Sequence, residues 1–165
     1  MINAEKNIML EKMLKENRVI FPLTDFNMNI TGFVGRNHRM QPYYLSFGDG
    51  FFGNCNTAQK TIIMVEGVLD VILAENQRFD NVIGFTNWKT FSDENIKALR
   101  LSGKNVIFFA DSDNLGIKMA NQMASKLQSN GIKAVVYKTD KALDLYDYML
   151  KGYSVDEVLS SVHFN

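Results

Sequence analysis

One cysteine, Cys55, stands among 165 residues, so the chain can build neither an internal disulfide nor a thiolate zinc site of its own. Histidine is almost as scarce. His38 and His163 each lack a second ligand of suitable type nearby, and no histidine lies close to Cys55 to activate it as a nucleophile, so Cys55 reads as an incidental small residue. The only prolines are Pro22 and Pro42, and no Ser-, Gln- or Pro-rich tract and no internal repeat occurs. With 46% hydrophobic and 12% aromatic residues, that composition excludes a disordered chain. No run of roughly 18 apolar residues is present to span a bilayer, and the first residues lack the apolar core of a signal peptide. A cytosolic protein without a membrane partner is therefore expected. Net charge of one sign is also missing: 18 basic residues balance 18 acidic ones, which argues against a surface that wraps nucleic acid all round. Residues 1–60 hold seven Lys and Arg against five Asp and Glu, and residues 61–165 hold eleven against thirteen, so the two parts are +2 and −2.

What is present is organised in two styles. From about Ala4 to Asn17, apolar residues recur at helical spacing between Lys and Glu, which predicts an amphipathic helix that docks on the rest of the molecule. Arg18 to Leu23 and Ile30 to Arg36 flank an Asn- and Asp-rich turn and predict a β-hairpin, with a further strand at Tyr43 to Phe47. The glycine- and asparagine-rich stretch from Gly48 to Lys60 reads as a junction, dividing a small mixed α+β subdomain (1–60) from a larger domain (61–165).

After Lys60 the pattern becomes strand, helix, strand, helix. Thr61–Val65, Val82–Phe85, Val106–Ala110 and Ile132–Tyr137 are short continuous apolar runs. Helical segments separate them: one to about Glu75, one capped by Ser92 and running to about Leu101, and one from Leu115 to Gln128 stopped by Asn130-Gly131. Such runs suit strands buried on both faces, so the expected fold class is α/β, with a four-stranded, mostly parallel sheet flanked by helices. Ligands of open α/β sheets bind beyond the carboxyl ends of the strands. There the sequence places Glu66 after the first strand, Asp111 and Asp113 after the third, and Asp144 and Asp147 after the fourth. Taken singly, Asp144 is equally well a helix N-cap, and Asp147 can serve a helix dipole. Together, carboxylates converging on one rim would repel one another unless a cation neutralised them. With only oxygen donors available, Mg²⁺ or Mn²⁺ is the fitting ion.

These residues resemble a known family. Thr61-Ile-Ile-Met-Val-Glu66-Gly67 is similar to the first Toprim motif, and Asp111-Ser-Asp113-Asn-Leu-Gly116 to its Asp-x-Asp motif. Asp144-Leu-Tyr-Asp147 resembles the acidic segment that follows the fourth strand in primases. Upstream, Arg18-Val-Ile-Phe-Pro-Leu, Ile30-Thr-Gly-Phe-Val-Gly-Arg36, Pro42-Tyr-Tyr-Leu-Ser and Phe51-Phe-Gly53 follow the order seen before the Toprim domain in bacterial and phage primases of the DnaG type. The resemblance covers about residues 18–152. Tyr43 departs from it by standing where primases usually carry a lysine, and the family's zinc-binding domain is not within the chain.

The resemblance implies synthesis of RNA primers on single-stranded DNA from ribonucleoside triphosphates, with two or more Mg²⁺ or Mn²⁺ ions in catalysis. It assigns metal binding to Asp111, Asp113 and Asp144 with Asp147 secondary, and makes Glu66 either a ligand or the general acid/base. Arg18, Arg36, Lys118 and Tyr43 are the expected contacts to template or nucleotide, and Tyr43, Tyr44 and Trp88 are candidates for stacking on bases. Gly67 and Gly116 are expected to allow close backbone approach near the metals. A zinc-binding domain and a replicative helicase are expected partners supplied elsewhere. Two other readings share these motifs: a Toprim nuclease that hydrolyses phosphodiesters, and a non-catalytic module that binds nucleic acid or a partner.

Overall fold

Local sequence in the first third of the chain favours hairpins laid side by side. The computed structural model describes residues 4–87, 90–110, 114–139 and 143–164, with side chains from residue 7 onward. Helix α1 (Ala4–Lys15) leads into strands β1 (Val19–Thr24), β2 (Ile30–Arg36) and β3 (Tyr44–Gly48), paired antiparallel in sequence. Asp25 makes the β1–β2 turn by accepting the amides of Asn27 and Asn29 on one carboxylate oxygen and the Asn29 side chain on the other. Pro22 stands opposite Phe33 of β2, in a strand whose other edge is paired only at Thr24, so β1 is close to the edge-strand setting that tolerates proline. Helix α1 docks through the fully buried Met13, while Ile8 and Leu14 of its apolar stripe stay exposed. Gly35 makes room for it: a Cβ there would lie 2.9 Å from Met13 Cγ and Sδ.

A two-residue strand, β4 (Phe51–Phe52), was hidden inside the predicted junction, where it is too short to show a period. It pairs antiparallel with β1 at Thr24 and with β6 (Val82–Phe85) through Phe51 and Phe85. The remaining strands, β5 (Thr61–Val65), β7 (Asn105–Phe109) and β8 (Ala134–Tyr137), run parallel to β6. One sheet of eight strands results, in the order β3-β2-β1-β4-β6-β5-β7-β8. Its parallel half is the expected four-stranded Toprim-like arrangement, and the antiparallel wing with α1 is the α+β portion before it.

Alternation along the parallel strands sends side chains to two cores. Ile62, Met64, Val106 and Phe108 meet α3 (Asp93–Ser102) and α4 (Asn114–Ser129) through Ile96, Leu99, Met123 and Leu127. Ile63, Val65, Ile107 and Phe109 meet α2 (Val68–Asn76), α5 (Leu145–Leu150) and α6 (Val155–Ser161) through Val71, Leu145, Met149 and Val158. The first core reaches into the antiparallel wing through a ladder of rings: Phe26–Phe51 at 4.9 Å, Phe51–Phe91 at 5.6 Å and Phe91–Phe108 at 5.6 Å between centroids. Ser92 caps α3 by accepting the Asn95 amide, and Gly103 ends it in the left-handed conformation at φ 65°.

Candidate active site

The parallel strands point their carboxyl ends to one rim, where β5 and β6 give way to the polar residues Glu66 and Thr86. Glu66 follows β5 and is exposed there. The chain turns immediately into α2, and a Cβ at Gly67 would stand 2.1 Å from Asp70 Oδ2, so glycine there lets the Asp70 carboxylate keep its place. Asp70, buried in the first turn of α2, accepts the Tyr146 amide on Oδ1 at 2.8 Å. That bond ties the start of α5 to the start of α2 and puts Asp144 on the same cavity as Glu66. Asp144 itself caps α5, its Oδ1 accepting the Asp147 amide at 2.7 Å. Cap and site are thus one residue, because a capping carboxylate uses one oxygen and leaves the second to face the cavity.

Glu66 and Asp144 line a cavity of about 510 Å³ with Gly67, Asp70, Thr86 and Tyr146 on the parallel side. Its opposite wall comes from the antiparallel wing: Val34 and Arg36 of β2, and Tyr44 and Ser46 of β3. These four share a face because Arg36 pairs with Tyr44 and Val34 with Ser46 in the β2–β3 register. The Arg36 Nε donates to Tyr44 Oη at 2.9 Å. The site therefore sets two carboxylates and one guanidinium on facing walls of the cavity. Thr86 Oγ1, just after β6, is buried without a hydrogen-bond partner at the margin of this cavity.

Several expected contacts lie elsewhere. Arg18 is a correction: its side chain is buried, its Nε pairs with Glu16 Oε2 at 2.5 Å, and its Nη1 donates to the carbonyls of Pro42 and Tyr43 at 2.9 and 3.2 Å. It braces the loop before β3 and does not reach the cavity, because a guanidinium pinned between a carboxylate and two carbonyls cannot extend outward. Tyr43 is half-exposed and outside the lining, one residue out of phase with the face that Tyr44 occupies. Asp147 is exposed in the first turn of α5 and also outside the lining, where it favours the helix dipole. Lys118 is exposed on α4, away from the cavity, and Gly116 is buried on the same helix. Asp111, Asp113 and Trp88 lie outside the described residues. Among those described, no three His, Cys, Asp or Glu side chains gather as a ready metal cage, so a cation held by Glu66 and Asp144 needs further oxygen donors. Ser46 and Asp70 were not among the expected site residues, and Tyr44, a candidate for base stacking, lies on the cavity wall beside Arg36. The period of two along β3 was a signal for Ser46, and nothing local marked Asp70.

Residues 60–138 match the Toprim domain. A DNA primase of Staphylococcus aureus (strain COL) is 27% identical over 149 residues, which is 82% of this chain and 25% of the relative. A DNA primase domain from Pseudomonas aeruginosa superposes with a TM-score of 0.70 at 26% identity, covering 87% of this chain and 49% of that one. A DnaG primase catalytic domain solved bound to single-stranded DNA shares the fold with a TM-score of 0.67 at 22% identity, covering 87% and 51%. Fold and family match together place a Toprim domain in residues 60–138. Around that domain, the chain resembles the catalytic cores of DnaG-type DNA primases. It spans about a quarter of the length of the curated primase it matches and about half of the solved chains. No described helix is long and apolar enough to cross a membrane.

Proposed function

We propose that this chain is the nucleotidyl-transfer core of a DNA primase, joining ribonucleoside triphosphates into short RNA primers on single-stranded DNA with Mg²⁺ or Mn²⁺. The observation that carries this reading is the two-sided cavity, with Glu66 and Asp144 on one wall and Arg36 on the other. A phosphodiester backbone alone would be repelled by the carboxylates, and a free metal ion by the guanidinium. A triphosphate chelated to a divalent cation satisfies both walls at once.

The donor set fits such an ion: Glu66 and the second oxygen of Asp144 are hard oxygen donors, and Asp111 and Asp113 follow β7 by two and four residues in the sequence. When bound, two such ions would activate the 3′-hydroxyl and stabilise the leaving pyrophosphate. The chain's own part is to orient. Asp70 holds α5 so that Asp144 stays beside Glu66, and Arg36 draws phosphate oxygens toward that rim. Glu66 serves as a ligand or accepts the hydroxyl proton. Residues 1–60 supply the cationic wall and residues 61–165 the acidic one. A zinc-binding domain for template choice and a replicative helicase are the further partners of this reading. The relative solved with single-stranded DNA supports that template.

The test is primer synthesis on single-stranded DNA from labelled ribonucleotides with Mn²⁺ or Mg²⁺, comparing wild type with Asp111→Ala. Extended products that disappear in the variant support the proposal. Cleaved DNA without extension would make the protein a Toprim nuclease. Intact DNA, no product and no Mn²⁺ binding would leave a binding module.

A further inference from the structure

Arg36 is a long side chain whose free motion would blur any fork it offers to phosphate. Its surroundings remove much of that motion. Arg36 and Tyr44 face each other across β2 and β3, and a period of two puts both on the cavity wall. Tyr44 Oη accepts from Arg36 Nε at 2.9 Å, and the guanidinium carbon lies 5.4 Å from the ring centroid, within the range of cation–π attraction. Tyr44 is 43% exposed and contributes no core packing that would by itself explain an aromatic there. A tyrosine has few torsions to order, so it makes an inexpensive brace in an open cavity.

The bond is made by Nε alone. Nη1 and Nη2 of Arg36 have no hydrogen-bond partner among the described residues, and no carboxylate there neutralises them. A guanidinium tied at Nε keeps its two terminal nitrogens as a parallel fork, the geometry that suits two oxygens of one phosphate. We propose that Tyr44 is the positioning residue of this site: it aims the Arg36 fork across the cavity at the triphosphate of the incoming nucleotide. This rests on the reading of the cavity as a nucleotide site. Tyr44 acts through Arg36 and does not itself contact the reacting atoms.

The role predicts a particular pattern of losses. Tyr44→Phe keeps the ring and removes the acceptor, and at a half-exposed position it should leave the melting temperature unchanged. Its affinity for ATP in the presence of Mn²⁺, measured by calorimetry, should fall roughly fivefold, the scale of one modest hydrogen bond. Binding of Mn²⁺ alone, followed by electron paramagnetic resonance, should be unaffected because the carboxylates are untouched. In an Arg36→Ala background the same substitution should have no further effect, since the group being aimed is gone.

Wild-type affinity in Tyr44→Phe would overturn the positioning role, as would a loss that persists unchanged without Arg36. Weakened binding of Mn²⁺ alone would also overturn it, by placing the hydroxyl in the metal's surroundings. Failure of the wild type to bind both Mn²⁺ and Mn²⁺-ATP would instead bring down the nucleotide-site reading, and this inference with it.

Discussion

Asp25 shows how one carboxylate can organise a turn and leave a signature in pH. Partial burial pushes its pKa upward, but the Asn29 side chain and the amides of Asn29 and Asn27 together outweigh that and hold the group below its ordinary value of 3.8. A carboxyl depressed in the folded state contributes stability that is fully present above the unfolded value and is lost as pH falls through the folded one. Asp25→Ala should therefore cost up to about 1 kcal/mol at pH 7, after allowance for solvent screening. In urea titrations the gap to wild type should narrow below about pH 4, the range in which carboxylates protonate. A gap independent of pH would show that the charge is not what the turn uses. Cys55 behaves oppositely: burial first of all pushes its thiol up to about 11, so it remains protonated and unreactive near neutrality, consistent with an incidental core residue.

Helix ends decide more at the scale of elements than helix interiors do. Helix α3 has little intrinsic reason to begin where it does apart from Ser92, which satisfies the Asn95 amide, and Asp93 and Glu94, which complement the positive end of the dipole. Ser92→Ala should lower stability by about 1 kcal/mol, read from the shift in a thermal or urea transition. Ser92→Asp should restore it, because another capping acceptor serves the same amide. Helix α5 illustrates an ending put to a second use. The same Asp144 that caps it lines the cavity, so a residue that looks like ordinary punctuation also supplies chemistry. Burial, hydrogen bonding to the Asp70 carboxylate and the cap act together to fix a helix of only six residues, which would not persist alone.

Across the whole molecule, the two halves are joined by β4 and by the ring ladder around Phe51. Phe51 is 1% exposed, pairs with Phe85 across the sheet and packs on Phe26 and Phe91. Phe51→Ala should cost about 3 to 5 kcal/mol through lost burial and the cavity left behind. Because the ring serves both halves, circular dichroism and tyrosine fluorescence should report one lowered transition rather than the melting of one half. Two separated transitions would show that the antiparallel wing unfolds on its own. The same continuity serves the site, since its acidic wall belongs to parallel strands and its cationic wall to antiparallel ones.

The amino-acid sequence by itself determined the parallel half and the place of Glu66 and Asp144 after its strands. Continuous apolar runs such as Thr61–Val65 mark buried strands, and the polar residue that ends each run must fall on the carboxyl edge where ligands bind. It also determined the β1–β2 hairpin, because turn chemistry is local. Only the tertiary structure decided which cations and aromatics face the cavity. Arg18 and Arg36 look alike as strand-end arginines, yet one is locked inside a loop and the other faces the carboxylates. Tyr43 and Tyr44 are neighbours, and the phase of β3 alone selects Tyr44, because a one-residue shift in a strand sends every side chain to the other face. Asp70 was illegible for a related reason: its partner, the Tyr146 amide, is 76 residues away, and that contact exists only once the sheet has brought α2 and α5 together.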